Sequence, residues 1–246
     1  MLAQLTRAWH ITAKDMRTYY LKPPLISWGM LFPLVMILAF FLRDPSDIRT
    51  VLPGLIGMTM LFGATSMEAV VIAFEKRIGA MERLLMAPLS SSALVVGKAA
   101  SGALFGTATG CLVWLIGSII WRMPWAVGGV ILITLLGSLA FSLLGVLISL
   151  LMREVFDAMT LSNFFRFPMV FLCGVFVPLP ELTPALRVVA YFLPLTYPVD
   201  ALRHLLLDGT GVYFPLWVDV AVSAVYVAAL YVATLKLMQH RLEDLL

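Results

Sequence analysis

Few side chains in this sequence are equipped for chemistry, and their spacing argues against catalysis. Gly97-Lys98 resembles the end of a phosphate-binding loop. However, Ala99 follows where GxxxxGK[ST] needs Ser or Thr, and Ser92 stands where its first Gly should be, so ATP is not bound by that route. HExxH, GxSxG and paired His/Cys metal spacings are absent, and His10, His204 and His240 lie in three separate segments. Cys111 and Cys173 each sit in an apolar run, unlike a disulfide framework. Asp208-Gly209 reads as a turn. What is left is a set of ionisable residues inside apolar stretches: Glu68, Lys98, Arg166 and Asp219. In a bilayer such charges are expensive and default to functional hypotheses. Glu68 and Lys98 are placed either to pair with one another or for Lys98 to snorkel to the interface. Asp219 is expected in the outer headgroup zone, and Arg166, just before Phe167-Pro168, at a cavity or a subunit interface. No chain of carboxylates suits a proton relay.

The elements that must carry these residues are membrane helices. Of 246 residues, 61% are hydrophobic and 13% charged. A soluble domain carries roughly 25% charge, so this chain lacks the polar surface to dissolve. A bilayer crossing needs about 20 apolar residues, and six stretches qualify: 25–42, 51–74, 93–121, 126–152, 158–178 and 214–235. The expected fold is therefore all-α, a single transmembrane domain over 1–246. No apolar core of signal-peptide type precedes position 25, so the N-terminus is expected to be retained. With the N-terminus inside, inner stretches hold Arg7, Lys14, Arg17, Lys22, Lys76, Arg77, Arg83, Lys98, Arg153, Lys236 and Arg241. Outer stretches hold Arg43, Arg49, Arg122, Arg187 and Arg203, so both termini are expected in the cytoplasm. The net charge of +3 forms no continuous basic face, which excludes a nucleic-acid partner.

Three segments do not span. Residues 4–20 pattern as an amphipathic helix, with Leu5, Trp9, Ala13, Met16 and Tyr20 on one side and Arg7, His10, Lys14 and Arg17 on another. Such a helix lies in the inner interface, its basic face toward anionic headgroups, or it is a topogenic flank. Residues 75–92 alternate Glu75, Glu82 and Arg83 with Ile78, Met81, Leu84, Leu85 and Met86, and Pro88 should end that short helix. It reads either as a docking surface for a soluble partner or as a solvated connector. Residues 177–211 hold Pro178, Pro180, Pro184, Pro194 and Pro198 among apolar runs too short to cross, as in a re-entrant element on the outer side.

Gly102, Gly106 and Gly110 repeat every four residues, a stripe for close helix packing within the chain or at a dimer seam. The fourth stretch adds Gly137, Ser138, Ser142, Gly145 and Ser149. Trp114, Trp121, Trp125 and Trp217 are placed as outer-interface anchors.

Residues 75–85 (EKRIGAMERLL), followed by Ala87-Pro88-Leu89-Ser90, closely resemble the cytoplasmic signature of ABC-2 type transporter permeases. A second likeness covers 165–206, through Phe167-Pro168, Gly174-Val175-Phe176-Val177-Pro178-Leu179, Leu193-Pro194-Leu195-Thr196-Tyr197 and Val199-Asp200-Ala201-Leu202-Arg203. The resemblance implies a permease dimer on two separate ATPase subunits, with ATP and Mg bound by those partners and none in this chain. It implies that 75–90, through Glu75, Lys76, Arg77, Gly79, Glu82, Arg83, Leu84 and Pro88, forms the coupling helix that meets the ATPase. The interface helix with Arg7, Trp9, Lys14 and Arg17 would brace it. Gly102, Gly106, Gly110, Arg166 and Pro178 would shape the pathway or the dimer interface, and 179–207 would cap it. The drug and lipo-oligosaccharide exporter branches are the nearer likeness, and the sparsely charged spans suit amphipathic or lipid-like cargo. A lipid-modifying enzyme in the membrane would need converging carboxylates or histidines. An ion-coupled carrier would need inverted repeats and midplane carboxylates. Neither pattern is present.

Overall fold

The computed structural model describes residues 2–43, 48–80, 84, 89–152, 154–207 and 209–243. Expectations that fall on Met81, Glu82, Arg83, Leu85, Met86, Pro88 and Asp208 lie outside the described residues. Among those described the chain is all-helical, with no strand. In order, α1 is Leu2–Asp15, extended by a π-helical turn Met16–Tyr20, followed by α2 Pro23–Arg43, α3 Ile48–Arg77, α4 Ser91–Trp121, α5 Val127–Leu151 and α6 Val155–Leu172. A 3-10 turn at Leu179–Glu181 then leads to α7 Pro184–Tyr191, α8 Thr196–Leu206 and α9 Leu216–Glu243.

Punctuation residues set the boundaries. Pro23-Pro24 occupy the first helical positions of α2, where a missing N–H does no harm. Gly79 has φ +67° and stops α3, a left-handed exit that a residue with Cβ adopts only under strain. Ser90 is extended and its hydroxyl accepts from Ala93 N at 3.2 Å, capping α4. Gly174, with φ +78°, follows the end of α6 at Leu172, so the fifth apolar stretch stops being helical well before the expected 178. Conversely α3 runs through Glu75, Lys76 and Arg77, which makes those residues its last turn rather than the start of a separate helix. The helix of the sixth apolar stretch, α9, likewise extends to Glu243, beyond the expected 235.

Among the described residues, α3, α4, α5 and α9 are each long and apolar enough to cross a membrane. The described apolar stretch of α2, Pro33–Leu42, is shorter. α3 is the hub: 94% of its apolar window is buried inside the chain, against 17% for α9. One core joins Leu55, Met58, Leu61 and Phe62 of α3 to Phe141 of α5, Met169 and Val170 of α6, and Val199 of α8. A second, at the α1 end, gathers Ile11, Ile72, Leu94, Val95, Val146 and Met238 from five helices. Trp114 is buried in a third, beside Trp125, instead of anchoring at a surface.

Candidate functional site

The α1 end of the bundle holds a buried charge network. Asp15 closes α1, Glu75 lies in the last turn of α3 and Lys98 in the second turn of α4, and all three side chains are fully buried. The Lys98 ammonium lies 2.7 Å from Asp15 Oδ2 and 2.5 Å from Glu75 Oε2. Lys14, still partly exposed, reaches the other two oxygens, Glu75 Oε1 at 2.5 Å and Asp15 Oδ1 at 2.9 Å. Two cations thus neutralise the two carboxylates, three of whose four oxygens accept a hydrogen bond while Asp15 Oδ1 has only the nearby charge of Lys14, which offsets much of the desolvation. Partial burial disfavours the Lys14 ammonium, yet its hydrogen bond to Glu75 and the field of Asp15 outweigh that and hold its pKa above the ordinary lysine value.

Two turns along α3 from Glu75, Glu68 carries the network inward. Its Oε1 accepts from Tyr20 Oη at 2.5 Å, Ser101 Oγ at 2.9 Å and Gly102 N at 3.2 Å. The anticipated Glu68–Lys98 pair is therefore not what forms. The Lys98 ammonium is taken by two nearer carboxylates, and Glu68 by hydroxyls and a backbone amide. Snorkelling is equally ruled out for a fully buried Lys98.

Lys76, the next residue on α3, points the other way. Its ammonium donates to the carbonyls of Ser149 and, at 3.1 Å, Met152, at the C-terminus of α5. A cation there satisfies carbonyls that have no partner within the helix and complements the helix dipole. The root of the 75–90 segment is thus fastened to α1 and α4 through Glu75 and to α5 through Lys76. Arg77 is exposed, Gly79 turns the chain away, and Leu84 is half-buried against the α1-end core. Glu82, Arg83 and Pro88 lie outside the described residues.

The interface helix is positioned by a third face that the amphipathic reading missed. Ala8 and Ile11 press on Gly97, where an added Cβ would come 2.9 Å from Ala8 O, and Thr12 Oγ1 donates to Gly97 O at 2.9 Å. Trp9 and Arg17 are exposed and Arg7 is half-buried, but Lys14 bonds carboxylates rather than headgroups. Tyr20, expected on the lipid side, is turned inward by the π-helical turn onto Glu68 and Phe105.

Gly102, Gly106 and Gly110 are buried in the chain's own core. A Cβ on Gly102 would collide with Ser142 Oγ and Glu68, one on Gly106 would lie 2.8 Å from Ser138 Oγ, and one on Gly110 would meet ordinary contacts at 3.6–3.7 Å. The stripe seats α4 between α3 and α5 and leaves no glycine face here for a second copy or a pathway. Arg166 is buried, donates to Asn163 Oδ1 at 3.2 Å and stands 5.3 Å from the Phe62 ring. Pro178 precedes the 3-10 turn and packs against Gly211.

At the opposite end, sequence reasoning missed a polar latch. Arg203, counted as an outer-loop cation, is buried and donates to Gly174 O at 2.7 Å and Thr50 O at 3.1 Å. Asp200, one turn earlier on α8, accepts from Tyr213 N and from Phe214 N at 2.8 Å. Together they fix α8 to α3, to the end of α6 and to the start of α9. Asp219, expected among headgroups, is buried in the first turn of α9 with neither oxygen bonded among the described residues.

The hydroxyls that meet a carboxylate, Tyr20 and Ser101 on Glu68, are buried with it inside the bundle. Among the described residues no three His, Cys, Asp or Glu side chains gather as a metal site would. The geometry fastens elements to one another. Comparison with known proteins identifies a family. The ABC-2 type transporter profile matches residues 6–207. The inner membrane transport permease YadH of Escherichia coli strain K12 is 27% identical over 198 residues, covering 79% of this chain and 76% of its own. Nodulation protein J of Rhizobium leguminosarum bv. viciae is 27% identical over 195 residues, covering 77% of this chain and 73% of its own.

Proposed function

The chain belongs to the ABC-2 type transporter family, and from that premise we propose that it is the membrane-spanning permease of an ATP-driven exporter. Two copies assemble with two separate ATPase subunits, which bind the ATP and Mg. The chain lies in the inner membrane with both termini in the cytoplasm, crosses six times with α2 and α6 completing the set, and uses 179–207 as an outer re-entrant cap. Its cargo is amphipathic or lipid-like, a drug, lipid or glycolipid, in keeping with the few charges along the spans.

The observation that carries this reading is the anchoring of the 75–90 segment. Its root is tied by Glu75 to α1 and α4 and by Lys76 to α5, so a push on the segment reaches three helices at once. A solvated connector does not require an ion network with Asp15, Glu75 and Lys98 fully buried at its base. A carrier or a lipid-modifying enzyme would work without an ATPase, and that difference is the test. The tagged chain, expressed from its native locus and purified in mild detergent, is expected to bring down a nucleotide-binding subunit in near-equal amount with vanadate-sensitive ATPase. A lone chain without ATPase, reproduced in lipid nanodiscs, would overturn the proposal.

A further inference from the structure

A groove of about 320 Å³ runs between α1, the first turns of α4 and the middle of α9, lined by Gln4, Leu5, Ala8, Ser92, Val96 and Tyr231 among others. That volume falls in the range of small-molecule sites, roughly 300–1,000 Å³. The groove exists because α1 is held mainly along one side. It presses on α4 at Gly97, whereas among the described residues it meets α9 more sparingly, through the core shared by Ile11 and Met238, and Tyr231 forms the far wall.

The lining is graded in polarity. Gln4 and Ser92 form a rim where α4 begins, and the Gln4 carboxamide oxygen is held there by Ser90 N at 3.3 Å and Ser90 Oγ at 3.4 Å. One turn deeper the wall is Val96, which with Leu5 is apolar and open to the side, at 40% and 57% exposure. A polar rim at the aqueous end that passes into an apolar wall open to the bilayer has the polarity of a single phospholipid. Its headgroup would meet the amide and hydroxyl, and its acyl chain would lie along Leu5, Val96 and Tyr231.

We propose that this groove binds one inner-leaflet phospholipid, which wedges α1 against α9. The site rests on the membrane placement given above and is independent of cargo and of the ATPase. Because α1 also supplies Lys14 and Asp15 to the buried network, the lipid steadies the same helix that the network engages.

Photo-crosslinking tests it. The full chain is placed in phosphatidylcholine nanodiscs doped with a phosphatidylcholine that carries a diazirine on its acyl chain, and labelled peptides are mapped. Label is expected to concentrate on positions 4–8, 92–96 and 231 and to saturate against unlabelled lipid. Val96→Trp, which fills the groove, is expected to abolish that label, and Leu112→Trp, on the exposed face of α4 away from the groove, to leave it. Label spread evenly over the exposed α4 positions Leu104, Leu112 and Ile119, or undiminished in Val96→Trp, would overturn the proposal. The wild-type map decides the matter even if Val96→Trp folds poorly, and ATPase co-purification is scored separately.

Discussion

Lys98 Nζ lies 2.5 Å from Glu75 Oε2, and through it the last turn of α3 is locked to the second turn of α4 with no solvent between them. Asp15 meets the same ammonium from α1 at 2.7 Å. Three helices therefore converge on one proton-rich atom, and the two carboxylates tolerate each other's proximity only because Lys98 and Lys14 stand among them.

Replacing Lys98 with Met keeps the bulk of the side chain but strands Asp15 and Glu75 with a single cation. Breaking a buried pair from one side destabilises by about 3–5 kcal/mol, and Lys98→Met is expected to fall in that range by thermal or denaturant unfolding in detergent. Glu75→Gln removes one of the like charges left behind. The double substitution should therefore lose less than the sum of the singles, by roughly 0.5–3 kcal/mol of coupling. Strict additivity would mean that the two groups do not interact in the folded protein.

The glycine stripe makes a ranked forecast. Alanine at Gly110 meets only ordinary contacts, so Gly110→Ala should be neutral or stabilise by about 0.5–1 kcal/mol through helix propensity. At Gly102 the new methyl collides with Ser142 and Glu68, and overpacking of this kind destabilises by about 1–3 kcal/mol. Gly106→Ala falls between, because its nearest neighbours, Ser138 Oγ at 2.8 Å and Ala64 Cβ at 3.0 Å, stand farther off than Ser142 Oγ does from Gly102 at 2.4 Å. Thermal stability in detergent checks the order. Greater sensitivity at Gly110, accompanied by loss of dimer, would place the stripe between copies rather than inside one.

What the sequence disclosed and what it hid divide along the same physical line. Apolar runs of 18 residues or more announce helices whatever their neighbours, so α3, α4, α5 and α9 lie where run length put them. The glycine repeat announced close packing, because spacing along one helix is local information. Partners are not local. Lys98 stood out as a charge in an apolar run, but its partners are 83 and 23 residues away, and nothing in the spacing ranks Asp15 and Glu75 above Glu68. Nothing in the sequence singles out Asp15, because a single acid in a basic helix looks incidental. Arg203 was read as an exposed cation because counting loop charges cannot register that two carbonyls converge on it. The early end of α6 depends on a positive φ at Gly174, which the sequence marks only as a glycine between apolar residues.

Arg203 offers the test of the latch at the α8 end. Its buried bond to Gly174 O is lost in Arg203→Met, and an orphaned buried carbonyl destabilises by about 1–3 kcal/mol. Lysine retains the charge but, with one point donor, cannot span Gly174 and Thr50 as the guanidinium does. Hydrogen exchange is expected to rise at 174–178 and 48–51 in both variants, more in Met than in Lys, with the α1 end unchanged. A uniform rise across the chain would mean general loosening, and no change would remove the latch role.

The docking reading turns on separating what the 75–90 segment touches from what holds it in place. Glu75 and Lys76 are structural anchors, so substitutions there disturb folding and function together. Gly79, at φ +67°, sets the direction in which the chain leaves α3, and a Cβ in that left-handed region is disfavoured by about 1–2 kcal/mol. Gly79→Ala is therefore expected to keep the ATPase attached but to lower ATP-dependent export. Charge reversal at Glu82 is the cleaner probe, because Glu82 follows Gly79 by three residues in the sequence and is neither of the two anchors. Glu82→Lys is expected to insert in the membrane and unfold at the wild-type temperature, yet to lose both the co-purifying ATPase and transport. If Glu82→Lys exports normally with its partner bound, the segment does not dock as proposed, and the network beneath it must serve the stability of the α1 end alone.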